Sequence, residues 1–282
     1  MTSNYQQEIE QGQRFGFGAN WQRFLVDLSE ARILQAELSL QEYLGITSWD
    51  NLLFLDAGCG SGLFSLAARR LGAKVVSFDY DTEAVRCANF LKTRYFSDDS
   101  DWTVIEGSVL DRTFLTSLGK HDIVYSWGVL HHTGEMWQAI ENVASLVRPQ
   151  GKFFIAIYND AGRTSRLWWH IKSMYVKYPF LRPVLLSYGF TRLRSGWFIR
   201  GLLAGDLLHS WKIYGDRSRG MSARHDLVDW VGGFPYEYAR PEEIFMAVKK
   251  IGFSLEYLTT IGGGTGCNQF VFRKNDENAG EL

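Results

Sequence analysis

The residues best suited to chemistry in this 282-residue chain begin with Asp56-Ala57-Gly58-Cys59-Gly60-Ser61-Gly62, set between the apolar run Leu52-Leu53-Phe54-Leu55 and a helical stretch from Leu63. Glycines in a strand-to-helix turn let the backbone approach a ligand and present amide N–H groups at a helix N-terminus. Asp79 follows 21 residues after Gly58, at the end of the next strand pattern, where a carboxylate can accept both hydroxyls of a ribose. Together they point to a nucleoside-containing ligand; a plain tight turn is the alternative for the glycines alone. His131-His132 and His225-Asp226 supply imidazoles able to hold or release a proton near neutral pH. Adjacent side chains point apart, so the paired histidines are not expected to share a metal. Cys59, Cys87 and Cys267 have no metal-ligand spacing, and no metal site is expected.

The elements around these residues alternate. Apolar positions at helical spacing from Trp21 to Leu44 give a helix or helix pair stopped by Gly45. Strand patterns follow at Leu52–Leu55, Lys74–Phe78, Trp102–Glu106, Asp122–Ser126 and Lys152–Tyr158, with helices at Leu63–Leu71, Thr82–Tyr95 and Met136–Val147. Such alternation implies a parallel sheet covered on both faces. After a helix from Pro241 to Lys250, Ser254–Thr260 and Asn268–Arg273 flank a glycine-rich loop too short for a parallel crossover, so the sheet ends antiparallel. The expected fold class is α/β: a Rossmann-like, seven-stranded, mostly parallel sheet with an antiparallel last strand, helices on both faces, and a helical insertion. Residues 1–50 read as an N-terminal helical lid, 51–160 as the nucleoside-binding core, 161–240 as the insertion, 241–274 as completion of the core and 275–282 as a tail.

Composition excludes several classes. With 46% apolar and 22% charged residues the chain is an ordinary globular protein rather than a disordered or disulfide-stapled one. The polar start, without an apolar core segment, argues against a secretory signal, and no apolar run reaches the roughly 18 residues of a membrane span. The cytoplasm is the expected compartment. The net charge of −1 hides an asymmetry, because Ala161 to Arg224 carries 12 Lys/Arg against Asp206 and Asp216. Segregated basic charge often meets an anionic partner.

The third glycine falls at Gly62 rather than at Leu63, where a dinucleotide fingerprint has it, and an acid before the loop would repel a pyrophosphate. The stretch resembles instead the first motif of class I S-adenosylmethionine-dependent methyltransferases, an acid followed by G-x-G-x-G. The resemblance spans about Leu52 to Ile157 and returns from Pro241 to Arg273. It implies S-adenosylmethionine as cofactor and S-adenosylhomocysteine as product. Asp56, Gly58 and Gly60 would then hold the methionine portion, Asp79 the ribose, and Tyr80 the adenine. Ser108 and Val109 stand where the family usually places an acid for the adenine amino group, and Trp127 would offer backbone to the methionine amino group. Ser126 to Gly134 is similar to the corresponding stretch of small-molecule methyltransferases of the quinone-biosynthesis type, where the second of the two histidine positions faces the acceptor.

His132 is therefore the first candidate for a general base, with His131 second and His225 third; capping of a loop is the plainer role for the pair, and helix capping by Asp226 for the last. Tyr158 and Asn159, past the fifth strand, and Tyr236 are candidate acceptor-site residues, with a core role the alternative for Tyr158. Arg14-Phe15-Gly16-Phe17-Gly18 alternates glycine with aromatics and reads as a lid or as an anchored terminus. The insertion reads first as a roof over the acceptor site. A membrane surface is second, because Gly189, Gly196, Gly201 and Gly205 are expected to interrupt a continuous basic helix; RNA is third and DNA is not expected. The expected function is methylation of an oxygen or sulfur of a small molecule, with an anionic acceptor favoured by Arg192, Arg194 and Arg200. The alternatives are a thiol methyltransferase needing no base, an RNA or lipid methyltransferase, an NAD enzyme, and a non-catalytic S-adenosylmethionine-binding protein.

Overall fold

A computed structural model describes residues 4–26, 28–203 and 223–276. β1 (Leu53–Ala57), β2 (Lys74–Asp79), β3 (Trp102–Glu106), β4 (His121–Trp127), β5 (Val147–Tyr158), β6 (Phe253–Thr259) and β7 (Cys267–Lys274) form one seven-stranded sheet in the order β3-β2-β1-β4-β5-β7-β6. β1 to β5 pair in parallel, while β7 runs antiparallel between β5 and β6. The order reverses beside β1. Ligands of open α/β sheets bind at that switch point, outside the carboxyl ends of the strands.

Side chains alternate between the two faces of a strand, and this alternation builds separate cores. Leu55, Phe78, Val124, Phe153 and Phe270 pack with α6 (Arg112–Leu118), α7 (Met136–Ala144) and α11 (Pro241–Lys250). Phe54, Val75, Tyr125, Phe154 and Val271 pack with α2 (Gly18–Val26), α3 (Glu30–Leu44), α4 (Leu63–Leu71) and α5 (Thr82–Tyr95). Burying each such side chain contributes roughly 1.5–3 kcal/mol, which fixes the register of strands and hence the position of the loops at their ends. The expected α/β class and the antiparallel end of the sheet are both present. α1 (Asn4–Glu10) and α6 were not read from the sequence, the first because it lacks apolar periodicity and the second because it is only 7 residues long.

The insertion contributes α8 (Arg163–Lys177), α9 (Arg182–Leu203) and α10 (Ala223–Gly232). The expectation that glycines break a long helix here is corrected, since α9 runs through Gly189, Gly196 and Gly201; Gly205 lies outside the described residues. At Gly189 the reason is packing: a Cβ would lie 2.4 Å from a methyl carbon of Val231 on α10. Trp168, Ile171, Tyr175, Val231 and Tyr236 form a third core, against which Phe15 and Tyr158 pack. The insertion is thus joined both to the N-terminal segment and to the end of β5. No described helix is long and apolar enough to cross a membrane.

Candidate active site

A cavity of about 1030 Å³ opens at the carboxyl ends of β1, β2, β4 and β5. Its floor is the glycine loop. Gly58, Gly60 and Gly62 all have positive φ (84°, 53° and 80°), and a Cβ on Gly58 would meet the Val129 side chain at 2.3 Å, so glycine is required there. The amides of Gly58 and Cys59 donate to the carbonyl of Phe78 at 2.8 and 3.0 Å, tying the loop to the end of β2.

Two acids face this loop, Asp56 buried and Asp79 half-buried. Asp56 accepts from Ser65 Oγ at 2.5 Å, Ser65 Oγ from Ser77 Oγ at 2.7 Å, and Ser77 Oγ from Trp102 Nε1 at 2.9 Å. Burial, reinforced by the charge of Asp79, pushes the Asp56 carboxyl up to about 7 despite the Ser65 hydrogen bond. Asp79 accepts from the amides of Gly60 and Asp81, both at 2.9 Å, and burial raises it to about 6 against those bonds. Both shifts mean that negative charge here lacks a counterion. A ligand bringing an ammonium or sulfonium charge and a hydroxyl pair fits these two carboxylate acceptors, which argues for a cationic nucleoside rather than a pyrophosphate.

The N-terminal segment closes over these groups. Tyr5 Oη donates to Asp81 at 2.7 Å and the amide of Gly18 donates to the same carboxylate at 2.6 Å. Arg14 lies 5.6 Å from the Tyr80 ring centroid, pairs with Glu8 at 2.7 Å, and donates to the carbonyl of His132 at 2.6 Å. Phe17 packs 5.0 Å from the His132 ring. Tyr5, Glu8, Arg14, Phe17 and Trp21 all line the cavity. The segment therefore touches both the nucleoside half and the opposite half of the cavity.

In that opposite half, β4 ends at Trp127 and a short 3-10 turn, Leu130–His132, carries the histidines. His132 lines the cavity, with Nδ1 2.6 Å from the carbonyl oxygen of Pro235. That oxygen can only accept, so Nδ1 carries the proton and Nε2 keeps its lone pair. Burial first, and then the positive charge of Lys172, lowers the imidazole to about 3, so it is neutral across the physiological range. Tyr158, Trp127 and Trp230 provide aromatic walls, and Asp229 adds a carboxylate.

Of the expected site residues, Asp56, Gly58, Gly60, Asp79, Tyr80, Ser108, Val109, Trp127, His132 and Tyr158 line this one cavity. Others do not reach it. His131 is fully buried behind Tyr158, with ring centroids 4.2 Å apart; the expectation that the adjacent histidines point apart is corrected, since their rings lie 4.5 Å from each other in the 3-10 turn, with only His132 lining the cavity. Asn159 is corrected from acceptor contact to a strut: its Nδ2 donates to the carbonyls of Gly262 and Gly264 at 3.1 and 2.8 Å, and its Oδ1 accepts from Asn268 at 3.0 Å. Tyr236 likewise belongs to the third core, 5.0 Å behind Tyr158. The side chains of His225, Asp226, Arg194 and Arg200 lie outside the described residues, while Arg192 is exposed away from the cavity. The described part of the insertion lines the cavity with Leu227, Asp229 and Trp230, so its basic residues supply no described wall for an anionic acceptor. Asp81, Asp229 and Trp230 were missed, whereas Phe17 belongs to the aromatic segment singled out above. Asp81 had a usable signal, two residues beyond Asp79, whereas Asp229 and Trp230 depend on how α10 folds back.

Comparison with known proteins agrees with this geometry. Residues 55–155 match the methyltransferase domain family. The chain is similar to the ubiquinone biosynthesis O-methyltransferase of Bartonella tribocorum, 30% identical over 131 residues that cover 44% of this chain and 47% of that protein. It is also similar to the one of Xanthomonas axonopodis pv. citri, 35% identical over 105 residues, 37% of this chain and 42% of that protein. The chain spans about half the length of the curated relatives it matches. In fold it resembles magnesium protoporphyrin IX methyltransferase from Synechocystis PCC 6803, solved with bound S-adenosylhomocysteine, at a TM-score of 0.54 and 16% identity, covering 91% of this chain and 94% of that one.

Proposed function

With residues 55–155 a methyltransferase domain of the class I fold, we propose that the protein methylates a hydroxyl oxygen on a small, largely planar acceptor at the expense of S-adenosylmethionine. The observation that carries this reading is the continuity of one cavity from the Asp56 and Asp79 carboxylates to the His132 imidazole. Similarity to O-methyltransferases supports the choice of oxygen.

Asp56 would hold the ammonium side of the cofactor and Asp79 the ribose hydroxyls, with Tyr80 and Val109 bounding the base. Bound there, S-adenosylmethionine supplies a methyl carbon activated by a sulfonium. The rest of the task is alignment and proton handling, and positioning of the reactants is where much of the acceleration arises. Trp127, Tyr158 and Trp230 hold a flat acceptor, and Phe17 with the rest of the N-terminal segment excludes water. His132 Nε2 accepts the acceptor's proton as the new O–C bond forms and the C–S bond breaks, then releases it to solvent. A phenol or quinol (pKa roughly 10) needs such an acceptor, whereas a thiol is already partly ionised near pH 7.

The test is release of S-adenosylhomocysteine from S-adenosylmethionine in the presence of a panel of phenols, quinols, thiols and carboxylic acids. Turnover of phenols or quinols is expected to exceed that of the others. Absence of any binding of S-adenosylhomocysteine by calorimetry, or turnover of thiols alone, would overturn the proposal.

A further inference from the structure

Lys172 was not singled out by the sequence, and nothing in its position on α8 marks it there. Its side chain is nevertheless completely buried. The ammonium sits 4.8 Å from the ring centroids of Trp230 and Tyr236 and 5.5 Å from that of Tyr158, and donates to the backbone carbonyl of Trp230. A buried ammonium costs several kcal/mol in lost hydration, which only good partners offset, and an apolar side chain of similar length would fill the same space without that cost. The cation is therefore the feature to explain.

Its surroundings link it to the acceptor half. Tyr158 and Trp230 contact Lys172 and also line the cavity. The carbonyl that it binds belongs to α10, the helix that places Asp229 and Trp230 in the wall. Through Tyr158 it backs onto both His131 and His132, whose ring centroids lie 4.2 and 5.5 Å from that of Tyr158. We propose that Lys172 is a positioning residue of the acceptor site, whose caged ammonium fixes α10 against β5 and places a positive charge behind His132.

This rests on the reading of His132 as proton acceptor. The charge favours negative charge developing on the acceptor oxygen as its proton leaves, and it keeps the resting imidazole neutral while lowering the basicity of Nε2. Among the described residues the charged and titratable groups around this pair are Arg14 from the N-terminal segment, His131 in the same turn, Tyr158 on β5, Asp229 on α10, Tyr236 after that helix, and Cys267 on β7. Arg14 acts in the same direction as Lys172 on His132, whereas Asp229 and Cys267 favour the charged lysine. Burial lowers Lys172 itself to about 7, so its charge changes in an accessible range.

The experiment is NMR titration of the His132 ring in the full chain, assigned by loss of its signal in His132→Asn, for wild type, Lys172→Met and Lys172→Arg. Lys172→Met is expected to raise the His132 midpoint by about one pH unit or more, toward the ordinary histidine value, and Lys172→Arg to leave it near wild type. A folded Lys172→Met protein with an unchanged His132 midpoint would overturn the proposal, since packing alone would not move that value. If neither variant folds, the wild-type protein decides. Its His132 signal is expected to show an inflection at the pH where the Lys172 Nζ signal titrates, and a His132 signal passing smoothly through that pH would overturn the proposal. This readout involves no methyl transfer, so it stands apart from the test of the reaction itself.

Discussion

Nδ1 of His132 lies 2.6 Å from the carbonyl oxygen of Pro235, and this contact decides which nitrogen of the imidazole can take a proton. The carbonyl fixes the tautomer with Nε2 unprotonated, on a residue that lines the same cavity as Asp56 and Asp79. Gly233, two residues before Pro235, keeps the approach open, since a Cβ there would lie 2.9 Å from His132 Cε1. The imidazole is thus oriented by the segment that follows α10.

Removing either carboxylate is expected to weaken cofactor binding without unfolding the sheet. Asp56→Asn and Asp79→Asn each remove a charge-assisted contact worth about 1.5–3 kcal/mol, so the Kd for S-adenosylmethionine should rise roughly 10- to 100-fold. Calorimetry giving wild-type affinity in both variants would contradict the assignment.

The same acids set a pH dependence with a definite sign. Asp56 and Asp79 are raised to about 7 and about 6 in the folded protein. Their contribution to stability is complete below the unfolded value of roughly 3.9 and is lost as pH rises through 6 to 7. The Tm of ligand-free wild type, taken relative to Asp56→Asn, should fall between about pH 4 and pH 7 and level off above, and the increase in Tm given by S-adenosylmethionine should grow over that interval. Differential scanning calorimetry at stepped pH checks both trends.

Gly18→Ala should open the N-terminal segment. The added Cβ would lie 2.4 Å from Glu83 Cβ and 2.8 Å from both Asp81 carboxylate oxygens, displacing the 2.6 Å amide contact to Asp81. Amide exchange over residues 5–18 is expected to accelerate and dissociation of S-adenosylhomocysteine to quicken about tenfold, with little change in exchange of the β-sheet.

Asn159→Ala should act on stability and leave the site alone. Asn159 ties the β6–β7 loop to the end of β5 through hydrogen bonds to Gly262, Gly264 and Asn268. A loss of about 1–3 kcal/mol in chemical denaturation is expected, with affinity for S-adenosylhomocysteine within about twofold of wild type.

The nucleoside half was legible in the sequence because it is local. Asp56, the glycines and Asp79 sit at the ends of adjacent strands, and strand periodicity alone places them together at one edge of the sheet. The acceptor half was legible only in part. His132 and Tyr158 follow from their places after β4 and β5, but the Pro235 carbonyl that orients His132 comes from 103 residues further along. Tyr158 ends β5 and Asn159 follows it, yet one is a wall and the other a strut, because alternation sends them to opposite sides and the sequence does not say which side is the cavity. Lys172 gives no sequence signal at all, being one basic residue among 12 in a basic stretch. Its burial follows from the packing of α8 against α10. The regional charge does not reach the described walls of the cavity, which from the insertion are Leu227, Asp229 and Trp230.

The measurement that bears most directly on the proposed chemistry is turnover of His132→Ala as a function of pH, with a phenol or quinol accepted by the wild-type protein. At pH 7 the expected loss is about 10²- to 10⁴-fold, with affinity for S-adenosylhomocysteine within about twofold of wild type, and the defect should shrink as pH approaches the acceptor's own pKa of roughly 10. Turnover equal to wild type at pH 7, or a defect of the same size at every pH, would contradict a role for His132 as the proton acceptor.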